Sequence, residues 1–209
     1  MSGAARARSV VLGIARVARG RPDGLALFGN TPQAFLGSLA PLIAFPLVGT
    51  ALMLAGGGGP GALADLLATL CGLLAPAVLS HFFARAWGRE AQWPRFATAF
   101  NWCQWTIPVV AALVLVVLAM MMAAGFPGAY AGFLLVATLV AYGFWLHWFL
   151  ARHGLAVSRL RALLLVICVN LGTAAVVLGP QILARGMPGV PGMPGVPGVP
   201  AVPAAGVRT

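Results

Sequence analysis

The sequence predicts an all-α protein: a polytopic transmembrane bundle of five helices, with an N-terminal amphipathic helix and a disordered Gly/Pro-rich C-terminal tail. Three observations predict it. Of the 209 residues, 61% are hydrophobic and only 8% are charged, and mean hydropathy is +0.96. Soluble domains carry about a quarter charged residues to cover their surface, and disordered chains need low hydrophobicity. Five stretches approach the roughly 20 apolar residues that cross a hydrocarbon core of about 30 Å as helix. The charges, finally, alternate from one connection to the next.

The N-terminal segment, residues 1–30, comes first. Val10, Val11, Ile14 and Val17 fall along one side at helical spacing, with Arg8, Arg16 and Arg19 on the flanks. That is the pattern of an amphipathic helix lying on the inner leaflet. No apolar run precedes residue 35 and no cleavage site follows one, so the first span is expected to remain as an uncleaved anchor. Thr31-Pro32 reads as an N-cap followed by Pro at the first helical position.

The transmembrane domain occupies residues 31–185. Its spans run near Phe35–Ala55, Ala62–Ala84, Ala99–Ala124, Gly128–Ala151 and Ala162–Leu183. Lipid offers no partner for open backbone, so the spans are helices; the two-residue alternation of a barrel is absent. Arg6, Arg8, Arg16, Arg19 and Arg21 precede the first span. Arg85, Arg89 and Arg95 follow the second, and Arg152, Arg159 and Arg161 follow the fourth. The other two connections, Gly56–Gly61 and Gly125–Pro127, carry no charge. Eleven of thirteen Arg thus share one side, which the positive-inside rule assigns to the cytoplasm. The expected topology is N-terminus cytoplasmic and C-terminus periplasmic, in the inner membrane of a bacterial cell. Six Trp residues crowd the same side, as residues of the headgroup level do. The tail, residues 186–209, repeats Gly-X-Pro and reads as extended polyproline II.

Polar residues inside spans are the places to look for function. His81, Asn101, Gln104 and His147 lie at similar depth near the basic side and form a candidate polar cluster. Asp65, in the first turn of the second span, and Asn170, mid-span in the fifth, form a candidate ion or proton site. Arg85, Arg89 and Arg95 form a candidate membrane-surface basic patch. Small residues recur every four positions in the second span: Ala64, Ala68, Gly72, Pro76 and Ser80. Gly128 and Gly132 add a second such pair; both let another backbone approach. Pro41, Pro46, Pro76 and Pro108 are expected to kink or loosen helices. Cys71, Cys103 and Cys168 read as small buried side chains. No catalytic motif, metal set or cofactor signature is present, and Arg at span ends is the membrane pattern rather than that of a nucleic-acid-binding domain.

The stretch Trp93-Pro94-Arg95-Phe96 with Phe100-Asn101-Trp102, entering the third span, and the Tyr142-Gly143 pair in the fourth carry a resemblance. Over about residues 25–185 the layout resembles the Yip1-like family of five-span membrane proteins. The acidic Asp-Leu and Gly-Pro signature of its eukaryotic members is absent, so their partner binding does not carry over. The resemblance implies a helical bundle without enzymatic activity. The expected function is that of a non-enzymatic integral membrane protein that binds a partner or organises lipid. Its partners are the bilayer, and either another membrane protein or a second copy through the small-residue faces. The alternatives are a small transporter or permease subunit with a polar path through the bundle, and a lipid-headgroup enzyme acting through His81 and His147.

Overall fold

The computed structural model describes residues 3–59 and 61–186, so the Gly-X-Pro tail beyond lies outside the described residues. The described chain is all-α. Helix α1 (Gly3–Ala18) and a 3₁₀ turn (Pro22–Leu27) precede α2 (Pro32–Ala55) and α3 (Gly61–Ala86). Then follow α4 (Trp93–Cys103), α5 (Thr106–Ala123), α6 (Ala131–Gly154) and α7 (Arg159–Gly186). Among the described residues, five helical stretches are long and apolar enough to cross a bilayer: α2, α3, α4 with α5, α6 and α7. The protein is an integral, multi-pass membrane protein.

Local chemistry explains the boundaries. The Thr31 hydroxyl accepts from the Ala34 N–H at 3.2 Å, and Pro32 opens α2 where a missing N–H costs nothing. Gly88 after α3 and Gly125 after α5 hold φ of +66° and +96°, a region open to glycine at no steric cost. The break between α4 and α5 follows from Pro108. Its nitrogen carries no proton, so the Gln104 carbonyl loses its donor four residues on and accepts from the Ile107 N–H at 3.1 Å instead. The chain turns at Gln104 and Trp105 and resumes as α5.

The helices pack in the row α2, α3, α7, α6, α5, and α4 closes the row by lying against both α2 and α6. This closure happens only at the Arg-rich end. The buried core is there: Phe96, Ala99 and Cys103 from α4, Phe149 and Leu150 from α6, and Leu165 and Val169 from α7. Towards the opposite end, large apolar side chains such as Leu52, Leu67, Val116 and Met120 are exposed. Such a surface requires lipid as its solvent.

Three expectations need correction. The N-terminal helix forms, but it does not lie apart on a leaflet: it packs on the Pro22–Leu27 turn and on α4. Val17 is wholly buried, and Val10 and Ile14 pack against the core, whereas Val11 is 66% exposed. The approach is close, since a Cβ on Gly24 would sit 2.8 Å from Arg16 Cβ and 2.9 Å from the Gly13 carbonyl. Of the cysteines only Cys103 is buried; Cys71 is exposed. The third span begins as helix at Trp93 rather than at Ala99, because its first turns are amphipathic and pack against protein.

Candidate functional site

At the basic end, the three acids are distributed so that most arginines have none. Asp23 takes Arg16 at 3.1 Å and Arg21 at 3.3 Å. Glu90 lies 3.5 Å from His81. Asp65 belongs to the far end. Among the described residues, Arg85, Arg89, Arg95, Arg152, Arg159 and Arg161 therefore have no carboxylate partner. Two lean on indole faces instead: Arg152 over Trp148 at 5.4 Å and Arg161 over Trp87 at 5.9 Å. The Trp148 N–H donates to the Arg159 carbonyl at 3.3 Å. The connection carrying Arg89 and Arg95 is fixed in place by Asn30. Its Oδ1 accepts from the Arg95 N–H and its Nδ2 donates to the Ala91 carbonyl, each at 3.0 Å. The result is a rim of cations and indoles.

The four residues read as one polar cluster divide among three places. His81 faces the rim, edge-on to Trp93 at 4.7 Å; the Trp93 N–H donates to Ser80 Oγ at 3.1 Å. Asn101 is buried and donates to Ser38 Oγ at 2.9 Å, joining α4 to α2. Gln104 and His147 do come together. With Asn170 they line a pocket of about 140 Å³ walled by Phe100, Ile107, Leu146 and Leu150. The His147 ring packs on Phe100 at 4.7 Å. His81 and His147 thus serve different groups of side chains, as two members of one catalytic pair would not.

Asp65 and Asn170 line separate cavities. Asp65 borders a groove of about 570 Å³ between α3 and α7, with Ala68, Thr69, Gly72, Thr173 and Val177. Thr69 donates to the Asp65 carbonyl at 2.7 Å, while the buried Thr173 hydroxyl has no hydrogen-bond partner among the described residues. Gly72 is where the small-residue repeat brings α3 against α7: a Cβ there would lie 2.9 Å from Val177. A strict four-residue step drifts around the helix, so Ser80 at its end faces Trp93 instead. A Cβ on Gly132 would meet nothing within 4 Å.

Sequence reasoning passed over Asn30, Ser38, and the bond from the Tyr142 hydroxyl to Thr106 Oγ1 at 3.1 Å. The available signal was depth: Ser38 and Asn101 each lie about two turns inside their helices from the basic end. No family model matches the chain, and no curated protein or solved structure matches it.

Proposed function

We propose that the protein is a non-enzymatic inner-membrane bundle that organises anionic lipid or holds a membrane partner at its basic end. In this reading that end faces the cytoplasm, the N-terminus lies with it, and the C-terminus is periplasmic. The five-span plan with a basic N-terminal segment is in keeping with the Yip1-like layout. One observation carries the reading: among the described residues, six guanidinium groups at the basic end lack carboxylate partners, on a rim that Trp side chains and Asn30 hold in shape. A lipid phosphate supplies the missing anions, and Arg matches its geometry. A transporter would draw instead on the Asp65 groove and the Asn170 pocket, which are separate cavities lined by different residues.

Each basic residue near an anionic surface contributes about 1 kcal/mol. The variant Arg85→Gln/Arg89→Gln/Arg95→Gln is therefore expected to lose up to ~100-fold in its preference for phosphatidylglycerol over phosphatidylcholine at low salt. The measurement is the motionally restricted fraction of spin-labelled lipid around the reconstituted chain. An unchanged preference refutes the reading.

A further inference from the structure

Two groups of arginines at the basic end lie on opposite sides of α7. A residue 11 positions further along an α-helix is about three turns away on nearly the same side. Gly172 faces α3, where a Cβ would lie 2.7 Å from Leu79 Cδ1. Arg161, 11 residues earlier, is on that side, and its guanidinium stands over Trp87 just beyond the end of α3. Asn170 meets His147 of α6 at 3.3 Å. Arg159, 11 residues earlier, is on that other side. There the Trp148 indole takes Arg152 over its face and bonds the Arg159 carbonyl through its N–H. Arg159 and Arg161 are both exposed.

Between the two groups runs an apolar stripe. Leu160 is 75% exposed, and Leu164, Ile167 and Leu171, also exposed, continue its side of the helix. The opposite side, with Ala162, Leu165 and Val169, is buried in the bundle. In a membrane protein the exposed stripe meets acyl chains. At its basic end α7 therefore offers a surface for hydrocarbon with a cationic group on each flank.

These features choose among anionic ligands. A guanidinium over an indole keeps the N–H donors of its edge for an anion, in the fork geometry that a phosphate accepts. The two flanks stand apart by about the width of a helix with its side chains, roughly 10 Å. A phosphate oxygen bonds a guanidinium at about 2.8 Å, so one phosphate serves one flank only. A soluble bisphosphate fills both flanks and gains nothing from the stripe. A lipid with two bridged phosphates fills both and lays its acyl chains between them, and basic surfaces between membrane helices suit such head groups. We propose that this surface binds one lipid carrying two phosphates, of the cardiolipin type. One phosphate lies at Arg152 and Arg159, the other at Arg161, and the acyl chains lie on Leu160 and the stripe beyond it. The inference rests on the reading of the basic end as a surface for anionic lipid, and narrows it to one lipid class at one site.

The test is native mass spectrometry of the full chain in detergent micelles, titrated with cardiolipin, with phosphatidylglycerol at equal phosphate, or with phosphatidylcholine. A single cardiolipin is expected to bind about tenfold more tightly than phosphatidylglycerol. Arg159→Gln and Arg161→Gln are each expected to weaken cardiolipin about fivefold, and together about 30-fold. Phosphatidylglycerol, served by either flank, is expected to change by less than about twofold in each single variant, which also verifies the fold. Arg19→Gln removes the same charge from the end of α1 and is expected to leave cardiolipin binding in place. Inorganic pyrophosphate, which has the two phosphates without the chains, is expected not to displace the lipid. The inference is overturned if cardiolipin binds no tighter than phosphatidylglycerol, if only one of the two arginines matters, if Arg19→Gln costs as much, or if pyrophosphate displaces the lipid. Equal preference for both anionic lipids over phosphatidylcholine would sink this inference alone; no anionic preference would sink the broader reading with it.

Discussion

The two halves of the third span, α4 and α5, cross one bilayer in succession and meet different surroundings. In α4, Phe96, Ala97, Thr98, Ala99, Asn101 and Cys103 are buried out of eleven residues. In the eighteen residues of α5 only Thr106 and Leu118 are buried, while Leu113, Val116 and Met120 face outwards. The helix touching four neighbouring helices is the more polar one, and the helix lying mainly against α6 is the more apolar. Hydrophobicity therefore does not mark the core of this protein. Between helices in lipid no hydrophobic force remains to be gained, so specificity comes from close packing and from bonds such as Asn101 to Ser38.

The comparison is broken most severely at Phe96. Truncating this 2%-exposed ring is expected to cost about 3–5 kcal/mol. Leu113→Ala in α5, at a site 62% exposed, is expected to cost less than about 0.5 kcal/mol. Denaturant unfolding in mixed micelles measures both; equal losses would show that α5 is packed after all. A smaller effect sits at the N-terminal helix. Gly24→Ala forces a methyl into a space bounded at 2.8 and 2.9 Å, and is expected to cost about 1–3 kcal/mol. Hydrogen exchange should quicken in α1 and not in α5. Among the buried sites the smallest effect is Asn101→Leu. Ser38 keeps its own bond to the Phe35 carbonyl at 2.6 Å, so no donor is orphaned, and the loss is expected near 0.6 and at most about 1.7 kcal/mol. Unfolding of Asn101→Leu beside Ser38→Ala and the double variant isolates the pair.

These magnitudes also explain what the sequence could convey. Span count and placement were legible because 20 apolar residues between Arg-rich connections admit few alternatives. Thr31-Pro32 announced the start of α2 to the residue. Pro108 announced a distortion, which lies three to four residues earlier because the orphaned carbonyl is that of Gln104. Partners within the site were not legible. A polar residue reports its depth in the membrane, but its partner depends on which way each helix is turned. Helices α2, α3 and α5 are apolar on all sides and carry no periodic signal of that angle. Asn101 and His147 could thus be placed at similar depth, yet one turns to Ser38 and the other to Asn170. In α1 the periodicity was plain, but protein and leaflet both accept an apolar stripe, and only the Gly13–Gly24 contact distinguishes them.

The docking of α1 on α4 has a consequence for biogenesis. The surface that receives residues 3–18 belongs in part to residues 93–103, which leave the ribosome only after two spans have been made. At about 5–20 residues per second, the first helix waits roughly 4–15 s for that seat. Throughout that interval its basic, half-apolar face is the part of the nascent chain open to chaperones and to the insertion machinery.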